Sequence, residues 1–304
     1  MRKADLVDSE FRILNSAFKR RFFMPDDIEQ IIMKTCDLPA MPAVADKVMR
    51  LVADPNTTTE QFQKVISADQ ALAARILKIA NSVFYASVRK INTISDAIVM
   101  IGFNTLRSIV LTASSRDIYK RFGLTEKMLW EHSMGAAISA GIIAKELRIV
   151  NHEEAYLGGL LHDVGKVVLN NSEPQKFSKV MERVYNEHIS FRMAEQEVFG
   201  FSHVDVGAMV IRKWKLSETL EMAIRNQYNP TWLSSDPNLM KLAAVVNLAN
   251  QFCLKLGIGH REPVAGLPLE KEEALVILKM DADRLPELLE RALKAFEEEK
   301  SYFQ

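Results

Sequence analysis

The sequence predicts an all-α protein. Apolar residues recur at helical spacing through nearly the whole chain, and capping patterns or Pro/Gly stops separate the runs. No stretch sustains the alternation of a β-strand. The 304 residues are 48% hydrophobic and 26% charged, enough for a sizeable core in one large or two ordinary domains. The formal net charge is zero, so there is no global electrostatic case for nucleic acid or an acidic membrane. Cys36 and Cys253 stand far apart without a C-x-x-C pattern, which argues against a disulfide framework or a zinc ribbon. The N-terminus mixes Arg2, Lys3, Asp5 and Asp8 with apolar residues, so no signal core is expected. The apolar stretches at 135–144 and 242–253 are too short or contain asparagine, so no transmembrane helix is expected. A cytoplasmic location follows as the default.

Residues 2–20 read as an amphipathic helix with Leu6, Phe11, Leu14 and Phe18 on its apolar side. Lys19-Arg20-Arg21 reads as a solvated basic face. Pro25-Asp26-Asp27 suits the first turn of a second helix carrying Ile28, Ile31 and Ile32. Pro39 and Pro42 stiffen the approach to a third, in which Val44, Val48, Leu51 and Val52 share a face, stopped by Asp54-Pro55-Asn56. Thr57 with Glu60, and then Ser67 with Gln70, look like capping boxes opening two more helices. A loop is expected near 81–90, then a helix from Ser95 to Met100, a break at Gly102, and a continuation from Phe103 to Leu111.

The next helix is expected to open at Trp130-Glu131-His132. Its Gly135, Ala136, Ala137, Ser139, Ala140, Gly141 and Ala144 allow close helix approach, which makes it central. Gly158-Gly159-Leu160-Leu161-His162-Asp163-Val164-Gly165-Lys166 then places an ionisable pair inside an apolar segment. Burying that pair is costly unless a metal or a hydrogen-bond network compensates. A satisfied His-Asp core pair with Lys166 as counter-charge is the alternative. His203 stands at a helix start, with Val206, Met209, Val210 and Trp214 as a buried stripe behind it; a metal ligand and a local hydrogen-bonding role are both open. His152, His188 and His260 read as surface residues. Leu275, Val276 and Leu278, then Leu285, Leu288, Leu289, Ala292 and Phe296, suggest C-terminal helices packed on the second half.

Taken in order, LPAMPAVADKVMRL, ISADQALAARILKIANSVFY, ISDAIVMIGFNTLRSIVL and the His162-Asp163 segment resemble the HDOD family, within the HD superfamily of metal-dependent phosphohydrolases. The resemblance implies a two-lobed helical fold. It divides the chain into an N-terminal extension (1–30), an HDOD domain (31–230, with lobes 31–120 and 121–230) and C-terminal helices (231–304). It also implies that His132 joins His162 and Asp163 as ligands of one divalent transition metal ion, with His203 and Asn250 as weaker candidates; in a hydrolase reading Lys166 would contact a phosphate oxygen. HD phosphohydrolases close the site with an Asp, where this chain has Asn250. The paired histidines of related cyclic-di-GMP phosphodiesterases correspond to Asn226-Gln227-Tyr228-Asn229-Pro230 here, and their Gly-Tyr-Pro motif is absent. Two functions therefore stand side by side. One is a bacterial regulatory protein with a degenerate site, acting on kinase, receiver or cyclase-type partners or sensing a nucleotide or phosphate. The other is a metal-dependent phosphohydrolase built on His132, His162 and Asp163. Neither nucleic acid nor membrane is an expected partner.

Overall fold

The computed structural model describes residues 26–303 except 83, 84, 86–89, 116, 117, 119–122, 260, 261 and 265. The expected helix at 2–20, the Lys19–Arg21 patch and His260 lie outside the described residues. Those described form α-helices joined by short turns, with no β-strand among them.

The first lobe contains α1 (Asp26–Thr35), α2 (Ala43–Ala53), α3 (Thr59–Ser67), α4 (Gln70–Ala80) and α5 (Ile94–Ser115). Hydrogen-bond competition sets their starts a residue or two away from the expected ones. The Thr57 hydroxyl turns back to the Leu51 carbonyl at 2.6 Å, leaving Thr58 to form the capping box with Gln61. Asp69, and not Ser67, caps α4, because its carboxylate accepts the Leu72 N–H at 2.9 Å. Thr93 and Asp96 bond each other's backbone N–H groups, which starts α5 at Ile94 and not Ser95. Gly102, at φ 78°, interrupts α5 as expected. Phe62, Ile66, Ile76, Ile79, Leu106 and Ile109 are fully buried where α2, α3 and α4 meet α5.

The second lobe follows as α6 (Leu124–Leu147), α7 (His152–Leu161), α8 (Val164–Ser172), α9 (Pro174–Glu187), α10 (Phe191–Phe199), α11 (His203–Lys213) and α12 (Glu218–Arg225). The chain ends in α13 (Pro237–Leu256), α14 (Glu273–Leu278) and α15 (Leu285–Phe303). Helix α6 is the axis of this half, packed against α7, α13 and α15 and buried on every side from Ser133 to Ala144. It begins earlier than the sequence suggested. The Glu126 carboxylate accepts the Gly123 N–H at 2.9 Å, so His132 lies two turns inside the helix rather than at its start.

Two glycines fix the approach of the helices that carry the site. A Cβ at Gly159 would lie 2.4 Å from the Ala136 carbonyl oxygen, and one at Gly165 only 1.9 Å from that of His203. Helices α7 and α6, and likewise α8 and α11, therefore touch backbone to side-chain-free backbone. Helices α5 and α13 are long and apolar enough to cross a membrane by length and composition, but 61% of each apolar window is buried inside the protein. In the sequence Gly102 divides α5 into two shorter segments, and only the fold joins them into one long apolar helix.

Gly165→Ala must displace backbone, so it should lower the unfolding free energy by about 1–3 kcal/mol or more. Gly266→Ala, where a Cβ meets nothing within 4 Å, should stay within about 0.5 kcal/mol of the wild type. Denaturant unfolding followed by circular dichroism distinguishes the two.

Candidate metal centre

Four helices deliver side chains to one buried point. His132 comes from α6, His162 is the C-cap of α7, Asp163 precedes the first residue of α8, and His203 opens α11. Asp163 is 1% exposed and lies at the middle. Its Oδ2 is 2.6 Å from Lys166 Nζ, 3.3 Å from His162 Nε2 and 3.6 Å from His132 Nε2. Its Oδ1 is 3.3 Å from His203 Nε2. The ligand atoms of His132, His162 and Asp163 all fall within 4.8 Å of one another. Asn250, from α13, closes the group with its Oδ1 2.9 Å from His132 Nε2.

The imidazoles are held from behind. His162 Nδ1 lies 2.7 Å from the Gly159 carbonyl, which can only accept, so the proton sits on Nδ1 and the Nε2 lone pair faces Asp163. Neither His162 Nε2 nor Asp163 Oδ1 has a hydrogen-bond partner, although both are buried. His132 lies between two oxygens, the Ile258 carbonyl at 3.1 Å from Nδ1 and the Asn250 oxygen at 2.9 Å from Nε2. A neutral ring has one N–H for those two acceptors, and a cation beside Nε2 would relieve the remaining lone-pair contact. This donor set, of imidazole nitrogens and a carboxylate with each ring tied through its far nitrogen, fits a divalent transition metal.

Burial is the largest influence on the His132 imidazolium and pushes it down to about 4, against the attraction of Asp163. For Asp163, burial raises the carboxyl, but His162, Lys166 and His203 together hold it well below the usual carboxylate range. The Tyr228 phenol is raised well above its ordinary value by burial and then by Asp163 and Glu195.

Lys166 does not face outward. Its ammonium is spent on Asp163 and lies 4.0 Å from the centre of the Phe191 ring, and the residue is 5% exposed. Three participants were not singled out from the sequence. Glu195 is fully buried, accepts the His203 backbone N–H at 2.8 Å and has the same oxygen 2.5 Å from His203 Nδ1. Tyr228 places its hydroxyl 3.2 Å from His203 Nε2. Gln227 donates to the His162 carbonyl at 3.1 Å. A signal for Glu195 did exist: it shares the helical stripe of Phe191, Ala194 and Val198, where a carboxylate has no reason to sit unless it is bonded. His188 is exposed and His152 half-buried, and neither approaches the centre.

The family model of the HDOD domain matches residues 38–230. An HDOD domain protein of unknown function from Geobacter sulfurreducens has a similar structure, with a TM-score of 0.72 and 27% identity over 89% of this chain and 96% of its own. A protein from Shewanella amazonensis, provisionally assigned as a phosphohydrolase, shares the fold with a TM-score of 0.71 at 24% identity over 90% of this chain and 98% of its own. An uncharacterised protein of Treponema pallidum is 24% identical over 198 residues, which make up 64% of this chain and 38% of that protein. The match thus spans less than half the length of that relative.

In chelator-treated protein, His132 and Asp163 both bind fewer protons folded than unfolded at mildly acidic pH. The His132 contribution to stability is therefore intact above about pH 6.5 and is lost as the pH falls toward about 4. His132→Gln should flatten that part of the stability profile, as read from denaturant midpoints between those limits. Lys166→Met strands the Asp163 carboxylate and should cost about 3–5 kcal/mol at pH 7 by the same measurement.

Proposed function

This chain belongs to the HDOD family, and on that premise we propose that it is a regulatory protein of bacterial signal transduction whose HD centre is retained without turnover. The observation that carries this reading is Asn250. It sits 2.9 Å from His132 Nε2, and the family resemblance implies a carboxylate at this position in the superfamily's hydrolases. An amide brings an oxygen but no charge, so any cation is held more weakly and a hydroxide on it is less well stabilised. Lys166 adds to the deficit, because its ammonium already neutralises Asp163 at 2.6 Å.

His132, His162 and Asp163 would hold a divalent cation, with His203 facing the other carboxylate oxygen. When bound, such an ion supplies a Lewis acid for a water or phosphate oxygen. The chain's own residues do the remainder: Gly159 and Ile258 orient the rings, and Tyr228 stands over His203 Nε2. Output then comes through contact with kinase, receiver or cyclase-type proteins, or through a nucleotide or phosphate ligand. The competing reading, a metal-dependent phosphohydrolase, is favoured by the partnerless His162 Nε2 and Asp163 Oδ1, which leave ligand positions open. Lys166 weakens that reading, since its buried ammonium is not available to a substrate phosphate.

Elemental analysis of wild type and His162→Ala, combined with turnover assays on nucleotides and cyclic dinucleotides, tests the proposal. The expected result is no hydrolysis by wild type above the His162→Ala background. Turnover abolished by His162→Ala would overturn it. Asn250→Asp should tighten Mn²⁺ or Co²⁺ binding on the order of 10-fold or more by calorimetry, because it returns a charge to the ligand group.

A further inference from the structure

Among the described residues, no lysine or arginine is ion-paired with Glu195. Burying a carboxylate is costly unless hydrogen bonds and opposite charge compensate. The two hydrogen bonds the structure gives it both come from His203, one from the backbone N–H at 2.8 Å and one involving Nδ1 at 2.5 Å. Both land on Oε2, while Oε1 is buried with no hydrogen-bond partner. The carboxylate is thus organised entirely around one residue, from the face of that residue opposite the centre.

Two carboxylates flank the His203 ring and compete for one imidazole proton. Glu195 Oε2 stands 2.5 Å from Nδ1, and Asp163 Oδ1 stands 3.3 Å from Nε2. The shorter, charge-assisted bond wins. A proton on Nε2 would set the Nδ1 lone pair against a carboxylate oxygen at 2.5 Å, which is repulsive. With the proton on Nδ1, Nε2 becomes an acceptor and takes the Tyr228 hydroxyl at 3.2 Å. Asp163 Oδ1 then receives nothing from His203, in keeping with its lack of any hydrogen-bond partner.

We propose that Glu195 is a positioning residue: it fixes the His203 tautomer so that the Nε2 lone pair, which takes the Tyr228 hydroxyl, is directed with the partnerless Asp163 Oδ1 into the centre, where an electron-pair acceptor would displace the phenol. Glu195 itself touches neither. Its role deepens the cation-centre reading, but the tautomer it imposes exists with or without a cation. The close contact of α8 and α11 at Gly165 and the His203 carbonyl holds the ring's backbone in place, so that the carboxylate decides only which nitrogen carries the proton.

The test is nitrogen-15 NMR of histidine-labelled, chelator-treated protein at pH 7, which reads the tautomer directly and does not depend on metal content or turnover. Wild type should carry the His203 proton on Nδ1, with that proton shifted strongly downfield by the carboxylate. Glu195→Gln preserves shape and an acceptor oxygen but removes the charge. It should move that resonance upfield, and Glu195→Leu, which removes the acceptor altogether, should shift the His203 proton toward Nε2; a Glu195→Leu protein that keeps the proton on Nδ1 overturns the proposal. A wild-type spectrum with the proton on Nε2 overturns the proposal without any variant. An Nδ1 proton whose shift is indifferent to Glu195→Gln overturns it as well. A purely structural role for Glu195 would lower stability without moving this resonance.

Discussion

One constraint shapes the second lobe: a carboxylate, Asp163, is taken out of water between the end of α7 and the start of α8. Burial alone would neutralise it. Lys166 supplies the counter-charge while three imidazoles close around the carboxylate, and each of these groups has to be supplied by a different element or turn. The requirement for close approach explains the side-chain-free backbones at Gly159 and Gly165 and the small-residue face of α6. What reads in the sequence as a glycine-rich approach to a phosphate-like motif is, in the folded chain, helix packing.

Much of this was legible beforehand. The pairing of His162 with Asp163 inside an apolar run is expensive enough to demand compensation, and the distant His132, His203 and Asn250 are all found around it. Helix periodicity located the elements, while their first residues were less readable. Thr57 and Thr58 are chemically alike, and only the carbonyl of Leu51 decides which of them is free to cap the next helix. His132 was placed at a helix start because Gly123 has no side chain with which to announce one. Glu195 and Tyr228 escaped for a different reason: an acid on an otherwise apolar stripe of α10 and an aromatic in a turn reveal their partners only in three dimensions.

The centre is chemically lopsided. On the Asp163 Oδ2 side stand Lys166, His132 and His162, and positive charge is already present. On the Oδ1 side stand His203 and, behind it, a second carboxylate in Glu195. One face resembles a finished ion pair and the other an unfilled coordination shell. Asn250 and Tyr228 bridge the two faces with neutral groups, the amide at His132 and the phenol at His203.

Helix α11 begins at the centre and ends at the joint between the lobes. Its eleven residues span about 16 Å. At its far end Lys213 Nζ and the Trp214 indole hold the carbonyl oxygens of Leu38 and Pro39 at 2.5 and 2.9 Å, where the chain passes into the first lobe. A single stiff rod therefore carries an imidazole at one tip and at the other is pinned to the segment between α1 and α2. The element that carries the third imidazole is thus also a tie between the two lobes, so the backbone of the centre and the contact between lobes share one rigid helix.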